Sequence, residues 1–265
     1  LVGFLIFRNR SGNVQNDLDQ RTDDVTTQLN DSVGQSGNNN MDALKDLRLG
    51  NDFELKIFGT DELFVKHDSP FLEGANTSWQ VHLQVEASEY VKMYNLSQAL
   101  ASASIASGAN SPLVFGKRLW HESRIAMFEQ ALDTRSTHEH MREQSTRVSF
   151  GKEWMNESIL DIYREDIARF KVLLSSQSEE ESWDMIQKGQ VPELHSLLVH
   201  NSTVYRWNRP QYGISGNGKP HLRIENRVLP AGPTVPDQMA NAVFWLGMMK
   251  GMASQVGDIR NLIEF

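Results

Sequence analysis

Ionisable side chains alternate along the segment from His221 to Val228, and they could bind phosphate and a metal ion together. His221, Arg223, Glu225 and Arg227 occupy every second position. In a β-strand this spacing places all four side chains on one face. Arginine grips phosphate through paired N–H groups, and a carboxylate can hold Mg²⁺ against the same phosphate. The alternative is an ordinary solvated strand face whose charges pair across the sheet.

Further candidates for binding an anion lie between Ser111 and Arg135. The segment Ser111–Arg118 reads SPLVFGKR, and Arg124 follows within a predicted helix. Arg124 and Arg135 are eleven positions apart, about three helical turns, so one continuous helix would place both on the same face. A charged helix face that only keeps the surface solvated is the alternative.

Gln80 and His82 lie on the polar side of the strand-like segment Trp79–Val85. A neutral imidazole there could ligate a metal ion or contact a nucleotide, and the alternative is a hydrogen-bonded histidine of the sheet. The sequence has no Walker loop, HExxH, GxSxG or GxGxxG motif. The common nucleotide-binding and hydrolase motifs are therefore absent.

The composition is that of an acidic globular chain. Its 265 residues include 26 basic and 34 acidic side chains, giving a net charge of −8, and 39% are hydrophobic. This charge disfavours nucleic acid and anionic membranes as partners, while a local basic patch could still bind a small anion. The absence of cysteine excludes disulfides, cysteine nucleophiles and thiolate metal sites. Since no apolar run approaches the roughly 20 residues of a membrane helix, we expect a soluble, cytoplasmic protein.

The spacing of apolar residues predicts the elements that would position these side chains. Alternation predicts strands over residues 53–57, 79–85 and 221–228. Helical spacing or small residues predict helices over residues 89–107, 119–133, 157–174 and about 236–252, the last beginning at Pro236. We therefore expect an α+β domain over residues 1–265, in which an antiparallel sheet has helices packed on one face.

Residues 9–40 differ from the rest of the chain because they are rich in Asn, Asp, Gln, Ser, Thr and Gly. We expect a polar flexible segment there, with a marginal amphipathic helix as the alternative. The chain begins at Leu1 without a methionine and stops at Phe265 within a helix-like pattern. We therefore expect the domain to be incomplete and to belong to a longer polypeptide.

Four segments, taken in order, resemble the glutamate–cysteine ligase superfamily, which has a glutamine synthetase-like fold. Asn76–Val85 (NTSWQVHLQV) is similar to the central strand of that family. Ser111–Gly116 (SPLVFG), followed by Arg124, is similar to its SPF…G segment and arginine. His221–Gly232 (HLRIENRVLPAG) resembles its E-x-R strand, and Ala240–Leu246 (ANAVFWL) resembles its packing helix.

The resemblance covers roughly residues 53–135 and 193–250, and it implies a carboxylate–amine ligase that uses ATP and Mg²⁺. In such an enzyme the γ-carboxylate of glutamate attacks ATP to give γ-glutamyl phosphate, and an amine then displaces the phosphate. With cysteine as the amine the product is γ-glutamylcysteine, an intermediate of glutathione biosynthesis. Arginines stabilise the transferred phosphoryl group, so no protein nucleophile is required. The expected partners are small-molecule substrates, while the amine acceptor and the oligomeric state stay open.

Carried over onto this sequence, the resemblance assigns the E-x-R pair to Glu225 and Arg227. Glu225 would bind Mg²⁺, and Arg227 would be a catalytic residue that contacts ATP phosphate or the acyl phosphate. Their spacing places both on one strand face, which supports the assignment independently. Gln80 and His82 would line the metal–nucleotide end of the site, with His82 as a second metal ligand.

The resemblance also assigns substrate contacts to arginines outside the E-x-R strand. Arg124 would grip the substrate carboxylate or phosphate as a catalytic and substrate-binding residue. Arg135 is a further candidate for binding substrate, and Arg118 is a weaker one.

The sequence departs from the family at the strand expected to bind the metal. The family opens with a strand that carries two metal-binding glutamates, G-x-E-x-E, and the comparable segment here has Leu5 and Phe7. Neither residue can replace a carboxylate as a Mg²⁺ ligand. Either the true strand lies outside these residues, which we expect, or the segment is misplaced, or the protein is not a normal ligase. Further acidic candidates are Glu54, Glu62 and Glu73.

Two functions of other classes remain open on the sequence alone. A catalytically silent nucleotide-binding or regulatory module of the same fold would bind ATP without turnover. A plain interaction domain would bind neither ATP nor Mg²⁺, and the polar residues 9–40 could order on its partner.

Overall fold

The computed structural model describes residues 3–7, 42–48, 51–68, 70–135, 145–174 and 181–265. The polar segment predicted at residues 9–40 lies outside these ranges. The strands are β1 (Gly3–Phe7), β2 (Phe53–Phe58), β3 (Glu62–His67), β4 (Trp79–Val85), β5 (Leu113–Val114), β6 (Lys117–Arg118), β7 (Val148–Ser149), β8 (Tyr205–Arg206), β9 (Asn208–Ile214) and β10 (Pro220–Asn226).

The helices alternate irregularly with these strands along the chain. They are α1 (residues 42–47), α2 (Tyr90–Ala99), α3 (Ala101–Gly108), α4 (Arg124–Ala131), α5 (Leu160–Arg169), α6 (Ser182–Gln187), α7 (His195–Ser202) and α8 (Val235–Gln255). Short 3-10 helices cover Pro70–Ala75, Ala87–Glu89 and Ile259–Asn261. The predicted α+β class is confirmed.

A four-stranded sheet with the order β1-β4-β10-β9 forms the centre of the fold. β10 pairs antiparallel with both β4 and β9, as expected for the predicted antiparallel sheet. β1 adds a parallel pair on the other side of β4. The remaining pairs are the hairpins β2–β3 and β5–β6 and the short parallel pair β7–β8.

Among the described strands, β9 forms one edge of this sheet, and its outer side is blocked at Pro210. Proline has no N–H to donate to a ladder and is therefore tolerated at an edge. The carbonyl of Pro210 already accepts a hydrogen bond from Asn201 Nδ2 at 3.0 Å. At this position the edge offers neither a donor nor a vacant carbonyl to a further strand.

Alternation along β4 and β10 separates an apolar face of the sheet from a polar one. Val81 and Ile224 are fully buried on the apolar face. Val81 packs in a cluster with Trp245 of α8, and Ile224 packs in a second cluster with Tyr90 and Tyr94 of α2. The helices therefore cover one face, and the polar face is free to carry the ionisable groups of both strands.

Helix α8 begins and packs as the sequence predicts. Thr234 is its N-cap and accepts a hydrogen bond from the N–H of Asp237 at 3.3 Å, and a proline stands in the first turn. Ala242, Trp245 and Met249 are at most 1% exposed and recur at helical spacing, which turns one stripe of α8 towards the sheet. None of the described helices, α8 included, is long and apolar enough to cross a membrane.

Several predicted helix boundaries are wrong for local reasons. The helix predicted over residues 119–133 begins only at Arg124, because the β5–β6 hairpin and a turn occupy the residues before it, and it ends at Ala131. The helix predicted over residues 157–174 spans Leu160–Arg169. Its start is set by Asp161, whose carboxylate accepts hydrogen bonds from the N–H groups of residues 156–158. The sequence has a helix-like pattern up to Phe265, but the last α-helix ends at Gln255.

Replacing Trp245 by alanine should lower the free energy of unfolding by about 3–5 kcal/mol, because a fully buried indole leaves a large cavity. Urea unfolding followed by far-UV circular dichroism measures the change. The matched control is Trp183→Ala on α6, where the indole is 68% exposed and the expected change is within about 0.5 kcal/mol. Equal losses in the two variants would contradict the assignment of Trp245 to the core beneath the sheet.

Candidate functional site

The register of three strands places Glu225 in the middle of the polar face. β10 pairs Glu225 with His82 of β4 on one side and with Arg209 of β9 on the other. Directly paired residues in antiparallel strands project to the same face, so these side chains form a row across the sheet. A neighbouring row on the same face consists of Gln84, Arg223 and Gln211.

The carboxylate of Glu225 is completely buried and accepts four hydrogen bonds. Arg209 donates from Nε to Oε2 at 2.9 Å and from Nη2 to Oε1 at 3.2 Å. Gln211 donates to Oε2 at 2.6 Å, and Arg227 donates from Nη1 to Oε1 at 3.0 Å. An ionised carboxylate has about four lone-pair positions, so these donors fill its capacity.

The charge of Glu225 is fixed by these neighbours. Burial favours the protonated form, but the charges of Arg209 and Arg227 outweigh it and hold the pKa of the Glu225 carboxyl well below its ordinary value. Glu225 is therefore ionised throughout the physiological range and acts as a permanent counter-ion to the two guanidinium groups.

His82 is neutral at physiological pH. Burial lowers the pKa of its imidazole from 6.5 to about 4, against the opposing effect of Glu225. The charges of Arg223, Arg209 and Arg227 lower it further, which places all three arginines within electrostatic range of this ring.

Arg227 lies one residue beyond β10, where its backbone N–H donates to Trp207 O at 2.9 Å. The residue is only 9% exposed. Nη1 is bound to Glu225, whereas Nε is buried and has no hydrogen-bond partner in the described part of the chain. The charge of Arg227 also acts on Glu73, although burial is the stronger effect there and raises the pKa of the Glu73 carboxyl.

Arg223 is half-buried on the same face. Within the described ranges its guanidinium group forms no ion pair, and its Nε is buried without a hydrogen-bond partner. Its backbone carbonyl accepts a hydrogen bond from Tyr90 Oη at 2.9 Å, which ties the strand to α2 on the opposite side of the sheet. Arg223 is thus held by its backbone, and its guanidinium has no ion-pair partner among the described residues.

The described residues around Glu225 do not fit a bound Mg²⁺ ion. Nowhere in the described ranges do three or more His, Asp or Glu side chains converge to hold a metal. Mg²⁺ requires oxygen ligands in near-octahedral geometry. At Glu225 it would have to displace a guanidinium or amide donor from a filled carboxylate. The predicted ligands Glu225 and His82 therefore lack the further carboxylates that a metal site needs.

Strand β1 does not supply those carboxylates. The register pairs Leu5 with Val81 and Phe7 with Leu83, whereas Phe4 and Ile6 pair with Gln80 and His82. Leu5 and Phe7 thus lie opposite Val81 and Leu83, which alternate along β4 with the site residues Gln80 and His82. None of the residues Gly3–Phe7 carries a carboxylate. The departure from the family pattern therefore does not depend on which residues of β1 lie opposite Gln80 and His82.

Arg124 is buried beneath the polar face. Its side chain is 4% exposed and forms an ion pair with Glu122 at 3.0 Å. Its other guanidinium nitrogens donate to the backbone carbonyls of Arg227 and Val228, and its Cζ lies 5.1 Å from the ring centroid of Trp207. The structure therefore gives Arg124 the geometry of a residue that positions Arg227, with its hydrogen-bonding groups occupied by protein.

The SPLVFG segment holds the start of α4 in place. It contains β5 and the turn of the β5–β6 hairpin, where Phe115 and Gly116 have positive φ. Ser111 Oγ accepts a hydrogen bond from the N–H of Arg124 at 3.2 Å. The segment therefore fixes where Arg124 enters the helix.

Other candidates lie away from the Glu225 cluster. Arg135 lies beyond the end of α4, so the continuous helix that would place it on one face with Arg124 does not form. The guanidinium of Arg135 pairs with Asp133 at 2.7 Å. Arg118 pairs with Asp61 at 2.9 Å on the surface. The acidic candidates Glu54 and Glu62 belong to the β2–β3 hairpin, where Glu54 pairs with Lys56 and Lys66.

Two residues of the site, Arg209 and Gln211, were missed by the sequence analysis. Both project from β9 onto Glu225. Their alternate spacing was a usable signal, but Pro210 between them argues against a central strand. The order of the described strands, in which β9 is the last and pairs with β10, shows that β9 is an edge strand that can accommodate the proline.

Stability should fall as the pH is lowered from about 6.5 to about 4, because neutral His82 is buried. Its pKa is lower in the folded state, so the unfolded chain binds the proton first and stability is lost through this window, by up to about 3 kcal/mol. Urea unfolding at a series of pH values measures the slope. His82→Gln should flatten it, while His121→Gln, at an exposed position, is the control. An unchanged slope in His82→Gln would refute this origin of the pH dependence.

Comparison with known proteins gives one family. No curated protein and no solved structure matches the chain. The family model of glutamate-cysteine ligase family 2 (GCS2) matches residues 60–259, well over half of the chain. The matched range contains His82, Arg124, Glu225 and Arg227, and thus all four segments on which the resemblance was based. The resemblance is confirmed: this chain belongs to glutamate-cysteine ligase family 2.

Proposed function

We propose that the chain catalyses the ATP-dependent joining of a carboxylate to an amine, with glutamate as the carboxylate and cysteine as the amine. Membership of a ligase family gives the reaction class. The observation that carries the proposal is the cluster on the polar sheet face, where Arg209 and Arg227 flank buried Glu225 opposite neutral His82. A preorganised group of cations in a dry environment suits a reaction whose difficulty is the charge of the transferred phosphoryl group.

In this proposal each side chain has a defined task. Arg227 stabilises the oxyanion of the phosphoryl group or acyl phosphate, and Glu225 keeps Arg227 and Arg209 in a fixed orientation. Gln80 and neutral His82 contact the nucleotide through hydrogen bonds. Arg124 positions Arg227 through its backbone carbonyl. No step is assigned to a metal ligand among the described residues, since they hold no group of side chains that fits a metal ion.

A silent nucleotide-binding module is the second candidate, and a specific observation favours it. Strand β1 brings no carboxylate to the sheet, and the lone pairs of Glu225 are filled by protein donors. A protein that kept the arginines and lost metal ligands would bind ATP without turnover. The single-domain organisation and cytoplasmic location inferred from the sequence also stay predictions.

Phosphate release from ATP and Mg²⁺ tests the proposal when glutamate and amines are added in turn. We expect release only with glutamate and an amine together, and fastest with cysteine. Arg227→Met should lower kcat by about 100-fold or more, because it removes a donor to the developing charge. Arg118→Met, which removes a surface arginine paired with Asp61, is the matched control.

The outcomes separate the two candidates. Turnover in Arg227→Met equal to that of Arg118→Met would remove Arg227 from the mechanism, provided that thermal melting shows both variants folded. ATP binding by the wild-type chain without phosphate release for any amine would replace the ligase with the silent module.

A further inference from the structure

We infer that the polar sheet face binds an oxyanion through Arg223 and Arg227 without a divalent cation, while Glu225 serves as the counter-ion of the arginines and holds no metal. The ligand class is an anion with two negatively charged groups, such as a polyphosphate or a dicarboxylate. The inference rests on the proposed function for the location of the ligand site. It goes further in assigning a ligand contact to Arg223 and in making the binding of that ligand independent of a divalent cation.

The carboxylate of Glu225 already accepts all the hydrogen bonds that it can. Its two oxygens receive two hydrogen bonds each, from Arg209, Arg227 and Gln211. A cation placed at this carboxylate would displace at least one donor and would lie against two guanidinium groups in a fully buried position. Separating a buried charge from its partner is strongly unfavourable. Glu225 is therefore committed to the arginines.

The guanidinium of Arg223 lacks hydrogen-bond and ion-pair partners among the described residues. This guanidinium has no ion-pair partner in the described part of the chain, although burial has removed much of its contact with water. Burial lowers the pKa of Arg223, and the charge of Glu225 offsets this effect only in part. An oxyanion would supply the missing charge and would accept paired N–H groups in a geometry suited to arginine.

Gly213 leaves room for the Arg223 side chain above β9. Gly213 pairs with His221, and a Cβ atom built there would be 3.1 Å from His221 Nε2 and 3.3 Å from Arg223 Nη2. Both distances are tighter than most Cβ contacts, so a larger residue would require the ends of these side chains to shift by a few tenths of an ångström. The backbone of Arg223 is held by Tyr90 from the other face. The Arg223 guanidinium therefore lies close over Gly213, and the strand that carries it is held from behind.

Arg227 is a second arginine on the same face with a guanidinium nitrogen that lacks a described hydrogen-bond partner. Arg227 is 9% exposed, and its buried Nε has no hydrogen-bond partner among the described residues. Arg223 and Arg227 are on opposite sides of Glu225 along the strand, and both act electrostatically on His82. Their Cα atoms are about 13 Å apart at the usual rise of a strand. Both arginines thus flank Glu225 on one face, and an anion with charged groups at both ends is the kind of ligand that matches two separated cations.

Calorimetric titration with the divalent cations removed by excess EDTA tests the inference. Pyrophosphate and L-glutamate are titrated separately into the wild-type chain, which distinguishes a phosphate from a carboxylate as the ligand group. We expect at least one of them to bind in EDTA. Arg223→Met should raise its Kd at least tenfold and should stay folded, because no described residue forms an ion pair with this cation. Arg118→Met is the matched control and should bind as the wild type does.

Three results would overturn the inference. These are binding that appears only when Mg²⁺ replaces EDTA, no binding in either condition, and a folded Arg223→Met variant with the wild-type Kd. The proposed function fails separately: chelator-resistant binding without phosphate release would remove the ligase activity and keep this inference. Phosphate release accompanied by strictly Mg²⁺-dependent binding would keep the ligase activity and remove this inference.

Discussion

A carboxylate shielded completely from water must be balanced by nearby positive charge, and this requirement at Glu225 constrains the centre of the fold. Arg209 comes from the neighbouring strand β9, and Arg227 comes from the chain just beyond β10. A slip of one residue in the pairing of β10 would turn Glu225 towards the apolar helices α2 and α8. The ionic cluster and the apolar core thus select the same register, each from its own side of the sheet.

The strand that carries this cluster is fixed from several directions. On the helical side, Tyr90 and Tyr94, one turn apart on α2, donate to the backbone carbonyls of Arg223 and Asn208 at 2.9 Å each. At the end of β10, Arg124 holds two consecutive carbonyls while its own charge is balanced by Glu122. Rigid support of this kind lets charged groups keep their orientation in a dry site.

The sequence predicted local features of the site better than its long-range contacts. Alternation along residues 221–228 was sufficient to place Arg223, Glu225 and Arg227 on one face, because a strand has a period of two. Pairing between β9 and β10 depends on tertiary packing, so the partners Arg209 and Gln211 were not identified.

The same limit explains the outcome for Arg124. Spacing marked it as a cation on a helix, but its role depends on the carbonyls that the folded chain brings to it. A sequence pattern does not distinguish an arginine that faces a ligand from one that braces the backbone behind the site. In the same way, the end of α4 at Ala131, and with it the separation of Arg135 from that helix, is set by local turns.

The blocked edge at Pro210 bears on how copies of this domain could associate. Exposed sheet edges recruit strands from other chains, and proteins commonly blunt them with proline or by covering the polar groups. β9 does both at one position: Pro210 has no backbone N–H to donate, and its carbonyl already accepts a hydrogen bond from the side chain of Asn201. A continuous intermolecular sheet through β9 is therefore interrupted beside the charged cluster, which protects Arg209 and Gln211 from being buried by strand addition.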